Sequence, residues 1–508
     1  MKKINYPLVL EKSRKDLAPN ESDPYIDVDG FREYDMRWIY PDQINLFGFQ
    51  ILGIILSDFF IKKSYNKIIL GHDFRSYSSA IKNAIANGFI DGGIDVYDIG
   101  LCTTPMAYFA QAQNDGFGVV MITASHNENG WTGLKIGYKF PQTLLSDEIE
   151  DIKKNTYKKI NTDRKYGQYI ELNNILDEYV EYFKKQKKFT RKIRAVIACG
   201  NGTASIVAPK ILKNLGIEII ELHCELDHNF PNYNPNPEDM SMLNDLSKTV
   251  LENSADIGLA FDGDCDRCGV VDNEGAIIFA DKIGLLIARN LSNQFKRKKF
   301  VIDIKSTNLF KIDPILKQND ATIDYWKTGH SYMKKYCLDN NAIAGFEKSG
   351  HYFFNEPLGS IYDDGILSSY FILKLLEENK NCSLSSIKNE LKKTWVTPTI
   401  NAYCRDKVKY AVVDRMKIYL DEILKNNQKI SGMKIRELII INGVRFELDD
   451  MTWGLIRASS NKPEIVIVVE SFKSSKLMHN IKDFILDWLS NQPEIGKISN
   501  NNKNNIDI

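Results

Sequence analysis

The chain has 508 residues, of which 43% are hydrophobic and 26% are charged, so it can form several hydrophobic cores rather than one. Its 66 Lys and Arg residues equal its Asp and Glu residues in number, which argues against nucleic acid as a partner and restricts any anion site to a local cluster. No apolar run reaches the roughly 18 residues of a membrane span, and the eight cysteines are scattered. We therefore expect a cytoplasmic protein with reduced thiols and no membrane partner.

One local pattern recurs along the chain: an apolar run of strand length, a loop containing Gly, Asp or Ser, and then a helix-like segment. It occurs as KIILGHDFRS (67–76), FGVVMITASHN (117–127), RAVIACGNGT (194–203), DIGLAFDGDCDR (256–267), KFVIDIKST (299–307) and NAIAGFEKSGH (341–351). The pattern predicts an α/β fold. Because ligands bind beyond the carboxyl ends of strands in such sheets, we expect the polar loops to share one cleft.

Three interruptions of this pattern suggest domain boundaries: the polar run after Thr162, a break near Ala276, and TWVTPT at 394–399. The predicted units are 1–170, 171–276, 277–394 and a smaller one at 395–491. The Asn-rich tail at 492–508 is expected to be disordered.

The segment AFDGDCDR places three carboxylates, Asp262, Asp264 and Asp266, at alternate positions in a glycine-containing turn. Carboxylates this close repel one another unless a cation lies between them, and oxygen ligands favour a hard ion such as Mg²⁺. An EF-hand is excluded because its sixth position is Arg267 rather than Gly and its twelfth is Asn273 rather than Glu. A solvated acidic loop is the alternative, but the apolar DIGLA and GVV on either side favour a turn between two strands.

The segment GLIRASSNKPEIVIVV (454–469) carries hydrogen-bond donors just before a strongly apolar strand. Arg457 offers a guanidinium fork, and Ser459, Ser460 and Asn461 offer two hydroxyls and an amide, a set that suits a phosphate group. Walker spacing is absent, which disfavours a nucleotide P-loop. A polar turn that merely leads into a strand is an equally good interpretation of this segment alone.

The segment VVMITASHNENGWTGLK (119–135) ends an apolar run at Ser125 and His126. A hydrolase elbow of the form GxSxG is absent because Thr123 and Ala124 precede the serine. Residues adjacent in sequence rarely face each other as nucleophile and base, so a serine in such a loop would by itself be interpreted as a cap for the next turn.

Four segments resemble, in their order along the chain, the four signature loops of the α-D-phosphohexomutase superfamily, and specifically of its phosphomannomutase/phosphoglucomutase branch. They are TASHN with GLK, DGDCDR, FEKSGH and RASSNKP. The likeness extends over nearly the whole chain. It includes GFREYDMRW (30–38), GHDFRSYS (71–78), CGNGTAS (199–205), NFPNYNPNPED (229–239), WKTGHS (326–331) and YDDGI (362–366). It implies a heart-shaped molecule of three similar α/β domains and a smaller C-terminal α+β domain around one active-site cleft.

The resemblance also implies a reaction. Ser125 would carry a phosphoryl group and, with the three aspartates, bind Mg²⁺. The enzyme would interconvert the 1-phosphate and the 6-phosphate of mannose, glucose or both. The intermediate would be a hexose 1,6-bisphosphate, which also serves as the activator. The other implied site residues are His126, Lys135 and Arg267 (positive charge), Arg37, Lys305 and His330 (acid, base and positioning), Tyr34 (a hydroxyl), Glu347, Ser349 and His351 (sugar loop), and Arg457, Ser459, Ser460 and Asn461 (phosphate loop). The expected partner is a small hexose phosphate, and the expected assembly is a monomer or weak homo-oligomer.

Two departures from the family pattern carry expectations of their own. Glu128 stands where proline is usual, which we expect to slow phosphoryl transfer without abolishing it, and Cys265 stands where glycine is common, which restricts the backbone and suggests sensitivity to oxidation. Three alternatives stay open: a phosphoglucosamine mutase, a phosphosugar-binding protein without turnover, and a metal-dependent phosphatase.

Overall fold

The structure, a computed structural model, describes residues 24–156 and 164–498. Four β-sheets succeed one another along the chain, each with its own helices, and we refer to them as the first to fourth units. Within the described residues no helix is both long and apolar enough to cross a membrane.

The first unit is a six-stranded mixed sheet whose order is β1-β5-β4-β2-β3-β6. Its inner strands β2 and β4 pair in parallel, and every residue of β4 is buried, as expected for a strand covered on both faces. The elements are β1 (Met36–Ile39), α1 (Leu46–Lys62), β2 (Lys67–His72), α2 (Ser78–Asp91), β3 (Asp95–Leu101), α3 (Thr104–Gln113), β4 (Gly118–Ile122), β5 (Trp131–Gly137), α4 (Ser146–Asn155) and β6 (Tyr169–Glu171).

The second and third units repeat the plan of parallel central strands with an antiparallel edge, in the orders β11-β10-β9-β7-β8 and β13-β12-β14-β15. The second contains α5 (Ile175–Lys184), β7 (Arg194–Ala198), α6 (Ala208–Asn214), β8 (Glu218–Leu222), α7 (Met240–Glu252), β9 (Ile257–Phe261), β10 (Cys268–Asp272) and β11 (Ile277–Ile278). The third contains α8 (Ala280–Gln294), β12 (Lys299–Asp303), α9 (Leu309–Ile312), α10 (Pro314–Gln318), β13 (Thr322–Trp326), α11 (His330–Asp339), β14 (Ala344–Phe346), β15 (Tyr352–Phe354), α12 (Gly365–Glu378) and α13 (Leu384–Asn389).

The fourth unit differs because its sheet is antiparallel throughout, in the order β18-β19-β20-β21-β22-β17-β23 with β16 paired to β22. Its elements are β16 (Trp395–Val396), β17 (Ile400–Cys404), α14 (Asp406–Lys425), β18 (Lys429–Ile430), β19 (Met433–Ile439), β20 (Val444–Leu448), β21 (Trp453–Ala458), β22 (Glu464–Ser471), α15 (Ser475–Ser490) and β23 (Ile495–Ile498). The predicted fold class, three α/β units and a C-terminal α+β unit, is confirmed.

Two details differ from the sequence prediction. The proposed boundary between residues 170 and 171 falls inside β6, which pairs with β3 and so belongs to the first sheet. The prediction that the tail is disordered from residue 492 is wrong for its first part, because Ile495–Ile498 forms β23 and pairs with β17. The two isoleucines of β23 pack against the core of the fourth unit, whereas residues 499–508 lie outside the described residues.

Candidate active site

Loops from all four units surround one cavity of about 640 Å³, a size that suits a small phosphorylated sugar. Its lining includes most of the predicted site residues: Tyr34, Arg37, Ser125, His126, Lys135, Arg267, Lys305, His330, Glu347, Ser349, His351, Arg457, Ser459, Ser460 and Asn461. The remaining three, Asp262, Asp264 and Asp266, are fully buried next to Ser125 and Lys135. The predicted residues therefore come together although they are spread over more than 400 positions of sequence.

The serine loop connects β4 to β5 and holds Ser125 in a left-handed conformation, with φ at 53°. This conformation is unfavourable for a residue with a Cβ, so it needs support from its surroundings. The Ser125 amide donates to Thr123 Oγ1 at 2.8 Å, and Arg75 Nη2 donates to the carbonyls of Ser125 (3.0 Å) and Asn127 (2.8 Å). Arg75 is itself ion-paired with buried Asp73. The loop is thus fixed at both its ends.

The serine hydroxyl reaches the acidic cluster directly. Ser125 Oγ donates to Asp262 Oδ2 at 3.0 Å. The two loops approach so closely that a Cβ on Gly263 would lie 2.5 Å from the Ser125 carbonyl oxygen. Only glycine permits this contact.

His126 lies beside Ser125, with its Nδ1 3.4 Å from the serine Oγ. Burial, and then the nearby Arg267, lower the pKa of His126 well below its usual value. The imidazole is therefore neutral at neutral pH, whereas the resemblance implies a positive group at this position. Glu128, two residues further on, is exposed.

The three aspartates form a group whose ligand atoms lie within 4.8 Å of one another, and none of them is exposed. Burial and repulsion from Asp266 and Asp264 raise the pKa of Asp262 well above its ordinary value. Lys135 Nζ lies 2.8 Å from Asp264 Oδ2 and also pairs with Asp266. The Oδ1 atoms of Asp264 and Asp266 are nevertheless buried, with no hydrogen-bond partner among residues 24–156 and 164–498. These oxygen donors fit a hard divalent cation such as Mg²⁺.

The segment 262–267 between β9 and β10, which we call the metal loop, is held by hydrogen bonds within itself and from the first unit. Asp262 Oδ1 accepts the amides of Asp266 (3.1 Å) and Arg267 (3.2 Å), and Thr104 Oγ1 donates to Asp264 Oδ2 at 2.5 Å. Cys265 adopts φ of 64°, the conformation in which glycine is favoured, and its side chain is fully buried. Burial raises the pKa of the Cys265 thiol well above its usual range, so the expected sensitivity of this residue to oxidation is not supported.

Asp35 organises the part of the cleft wall that contains Arg37 and His330. Its Oδ2 accepts from Arg37 Nη2 at 2.8 Å, and its Oδ1 lies 3.0 Å from His330 Nε2. Burial lowers the pKa of His330 although the Asp35 carboxylate opposes this, so the neutral imidazole is favoured. Arg37 Nε and Nη1 are buried without a hydrogen-bond partner among the described residues, which leaves donors for a substrate phosphate.

The sugar loop follows β14. Glu347 Oε1 accepts the Gly329 amide at 2.7 Å, and Oε2 accepts Ser349 Oγ at 3.0 Å. Burial is the main cause that raises the pKa of Glu347. The carboxylate is therefore held in one orientation at the wall of the cleft.

His351 connects the sugar loop to the metal loop. Its Nε2 accepts from Arg267 Nε at 2.8 Å, which places the ring proton on Nδ1, 2.9 Å from Asp363 Oδ2. Burial alone would raise the pKa of Asp363, but Lys334, 3.2 Å away, and His351 hold it well below its usual value.

The phosphate loop follows β21. Arg457 Nη2 donates to Ser460 Oγ at 3.0 Å, and Asn461 Nδ2 donates to the Tyr34 hydroxyl at 3.3 Å. Ser459 Oγ accepts the Lys462 amide at 3.2 Å. Arg457 Nε has no partner within the described part of the chain, so this guanidinium retains a free donor for an anion. Asn461 Oδ1, an acceptor, also has no partner there.

Sequence analysis did not single out several residues that support the site: Asp35, Asp73, Arg75, Thr104, Lys334 and Asp363. Asp35, Asp73, Arg75 and Asp363 lie inside the supporting stretches GFREYDMRW, GHDFRSYS and YDDGI, so their identity was available as a signal. Thr104 and Lys334 carry no local signal because their partners are more than 25 residues away in sequence.

A hydroxyl beside a carboxylate group that could hold a cation, with further polar side chains from the third and fourth units in the same cleft, matches the parts that phosphoryl transfer requires. The fold and the site together define the class as an enzyme of phosphoryl transfer on a small phosphorylated substrate.

Comparison with known proteins identifies the family. Models described as phosphoglucomutase/phosphomannomutase α/β/α domains I, II and III match residues 28–163, 177–275 and 279–394. A phosphomannomutase/phosphoglucomutase of Pseudomonas putida is 32% identical over 92% of this chain and 96% of its own, and a phosphoglucomutase of Neisseria meningitidis is 33% identical over 87% and 93%. The chain belongs to the phosphoglucomutase/phosphomannomutase family, which confirms the resemblance.

The crystal structure of a phosphoglucomutase/phosphomannomutase family protein from Burkholderia thailandensis superimposes with a TM-score of 0.80 at 26% identity, covering 93% of this chain and 99% of that one. The similarity includes the fourth unit, which the three domain models leave unmatched.

Proposed function

We propose that the protein is a phosphohexomutase that interconverts hexose 1-phosphate and hexose 6-phosphate through a phosphoserine at Ser125. The observation that carries the proposal is the 3.0 Å hydrogen bond from Ser125 Oγ to Asp262, within a cleft that also presents sugar and phosphate donors. Family membership supports it, because the relatives compared above are mutases by name.

In the first half of the reaction the phosphoryl group leaves Ser125 Oγ for the free hydroxyl of the bound hexose phosphate, giving a hexose 1,6-bisphosphate. After the sugar turns over in the cleft, Ser125 takes back the other phosphoryl group, and the positional isomer is released. Asp262, Asp264, Asp266 and Ser125 would hold Mg²⁺, which when bound offsets negative charge on the phosphoryl oxygens. Lys135, 2.8 Å from Asp264, would add a second positive charge on the same side.

The part of the cleft wall around Asp35 would handle the sugar hydroxyl. His330, whose pKa burial lowers, is neutral and can accept the hydroxyl proton, and Asp35 orients its ring at 3.0 Å. Arg37 and Lys305, both buried at the cleft, would position the reacting phosphate. Arg457, Ser459, Ser460 and Asn461 would bind the phosphate that does not react.

Sugar selection would rest on Glu347 and Ser349, which in the resembling family bond the O3 and O4 hydroxyls. Glucose and mannose share the configuration at these two carbons and differ only at C2. We therefore expect both 1-phosphates to be converted with comparable specificity constants, and galactose 1-phosphate, inverted at C4, to be a poor substrate. A lost hydrogen bond in such a site costs about 1 to 3 kcal/mol, or roughly 5- to 150-fold.

A side-by-side assay of glucose, mannose, galactose and glucosamine 1-phosphates, with Mg²⁺ and hexose 1,6-bisphosphate, tests the proposal. The Glu347→Gln variant should lower the specificity constant for both preferred sugars by about tenfold or more, because the amide replaces one of the two acceptor oxygens of Glu347 with an NH₂ group. A specificity constant for glucosamine 1-phosphate far above the others would instead assign a phosphoglucosamine mutase. Release of inorganic phosphate faster than isomer formation would indicate a phosphatase, and binding without turnover would refute catalysis.

A further inference from the structure

Two cysteines of the second unit lie in contact at the ends of neighbouring strands. Cys199 directly follows β7, and Cys224 lies two residues beyond the end of β8, which runs parallel to β7. Their Sγ atoms are 3.3 Å apart. All eight cysteines of the chain are described, and no other two of them form a thiol–thiol hydrogen bond.

Two backbone hydrogen bonds hold the segments that follow β7 and β8 beside each other at this pair. The Cys199 amide donates to the Leu222 carbonyl at 3.2 Å, and the Asn201 amide donates to the His223 carbonyl at 2.7 Å. A disulfide places its sulfurs about 2.0 Å apart, so the two sulfurs need to approach by little more than about 1 Å.

The two thiols differ in access to solvent. Cys199 is fully buried, and burial, with Cys224 as the next cause, raises the pKa of the Cys199 thiol well above its usual range. Cys224 is only half-buried. An oxidant therefore meets Cys224 first, and Cys199 is placed to resolve the product.

We propose that Cys199 and Cys224 form a redox-sensitive site that a peroxide converts to a disulfide. The Cys224 thiolate attacks hydrogen peroxide; an S–O bond forms, the O–O bond breaks and hydroxide leaves. The Cys199 thiol then attacks the sulfur of the Cys224 sulfenic acid; an S–S bond forms, the S–O bond breaks, and the leaving OH group takes the Cys199 proton and departs as water. Two thiols and one peroxide give one disulfide and two waters, and a dithiol reverses the oxidation.

The site joins two segments that meet at the cleft. The turn after Cys199 supports the metal loop, because the Thr203 amide donates to the Gly263 carbonyl at 3.1 Å. The segment that begins at Cys224 continues to Asn236 and Glu238, which line the cavity. The disulfide would tie the start of that segment covalently to the turn.

Peptide mass spectrometry tests the site on the full-length protein. Reduced protein is treated with hydrogen peroxide, unfolded in the presence of an alkylating reagent and digested. We expect one pair of peptides linked through Cys199 and Cys224. Its mass should be two hydrogen atoms below the sum of the two free peptides, and dithiothreitol should separate the pair again. Recovery of both cysteines as alkylated thiols, or a sulfinic acid on Cys224 with Cys199 still alkylated, would overturn the proposal.

The variants separate this pair from the other thiols. Cys224→Ser and Cys199→Ala should each abolish the linked peptides, and Cys382→Ser, which removes another half-buried thiol, should leave them unchanged. Linked peptides that persist in Cys224→Ser would assign the disulfide to another pair and contradict the proposal. The measurement is independent of turnover, so its failure is distinguishable from failure of the mutase assignment.

Discussion

The two ends of the cleft are built in different ways. One end, which we call the locked end, consists of Ser125, Lys135, Asp262, Asp264 and Asp266. The other, which we call the open end, consists of Arg457, Ser459, Ser460 and Asn461. Every side chain of the locked end is at most 1% exposed, whereas Ser459 and Asn461 of the open end are only partly buried.

The contacts differ in the same sense. At the locked end, hydrogen bonds and ion pairs cross from the first unit to the second at Ser125, Lys135 and Thr104. At the open end, the hydrogen bond from Asn461 to Tyr34 is the one side-chain bond that these four residues make to another unit within residues 24–156 and 164–498. Charge developing in a transition state is best stabilised by groups that need no rearrangement, whereas a phosphate that must bind and leave needs free donors. If the proposed function holds, the locked end performs the chemistry and the open end binds the phosphate that does not react.

The largest effect should come from the hydroxyl of the locked end. We expect Ser125→Ala to fold normally and to lose turnover by on the order of 10⁴-fold or more, as loss of a nucleophile does in other enzymes. The coupled mutase assay measures the loss, and mass spectrometry should find phosphate on the wild-type Ser125 peptide after exposure to hexose 1,6-bisphosphate. Ser76→Ala, an exposed serine of the same unit, is the control and should be fully active. An active wild-type enzyme whose Ser125 peptide never carries phosphate would refute this role.

Next in size is the acidic group itself. Asp264→Asn removes one negative charge and leaves Lys135 paired only with Asp266, so we expect metal affinity to fall and kcat to drop by about 10²-fold or more. Affinity for the sugar phosphate should change little, because its donors lie at the open end. A Mg²⁺ titration of turnover makes the measurement, with the exposed Glu252→Gln as control. Full activity of the Asp264 variant in the presence of a chelator is the contrary result.

The open end should respond in binding rather than in chemistry. Arg457→Lys keeps the charge but loses the fork, so we expect KM to rise by about tenfold while kcat falls much less. Phosphorylation of Ser125 by hexose 1,6-bisphosphate should still occur. Arg405→Lys, an exposed arginine of the same unit, should behave as wild type. A fall in kcat larger than the rise in KM would remove the distinction between the two ends.

The smallest effect concerns stability next to the locked end. Asp364 caps α12, whose first residue, Gly365, donates its amide to the Cys265 carbonyl, and burial is the main cause that raises the pKa of Asp364 from 3.8 to about 6. The folded state thus holds this proton more tightly than the unfolded state. The stabilisation, at most about 3 kcal/mol, is complete below pH 3.8 and is lost as pH rises through 6.

The side chain of the Asp364→Asn variant cannot ionise. Between pH 4 and pH 7 we therefore expect the Tm of the wild type to fall by a few degrees more than the Tm of the variant. Asp239→Asn is the matched control, because Asp239 also caps a helix and its variant shows what loss of a cap carboxylate does by itself. Thermal unfolding followed by circular dichroism provides the comparison. Parallel pH profiles for wild type and Asp364→Asn would show that folding does not raise the pKa of this carboxyl, which contradicts the prediction.

The sequence predicts the open end more completely than the locked end. Arg457, Ser459, Ser460 and Asn461 are contiguous, so one segment displays the whole set of donors. The locked end is assembled from two distant segments, 119–135 and 262–266, and a supporting residue such as Thr104 acquires a role only when α3 meets the metal loop. The α/β class followed from apolar periodicity, but the pairing of β23 with β17 did not, because Ile495 and Ile498 are isolated apolar residues in a polar tail.

The close approach at Gly263 has a consequence for interpreting any collection of natural or engineered variants. This position contributes no ligand, charge or hydroxyl. A side chain there would nevertheless displace the Ser125 carbonyl and so move the Ser125 hydroxyl away from the three aspartates. Loss of activity at residue 263 would therefore report spacing rather than chemistry. A library that transplants metal loops between relatives has to retain this glycine together with the serine loop that it contacts, since the two segments are exchangeable only as a pair.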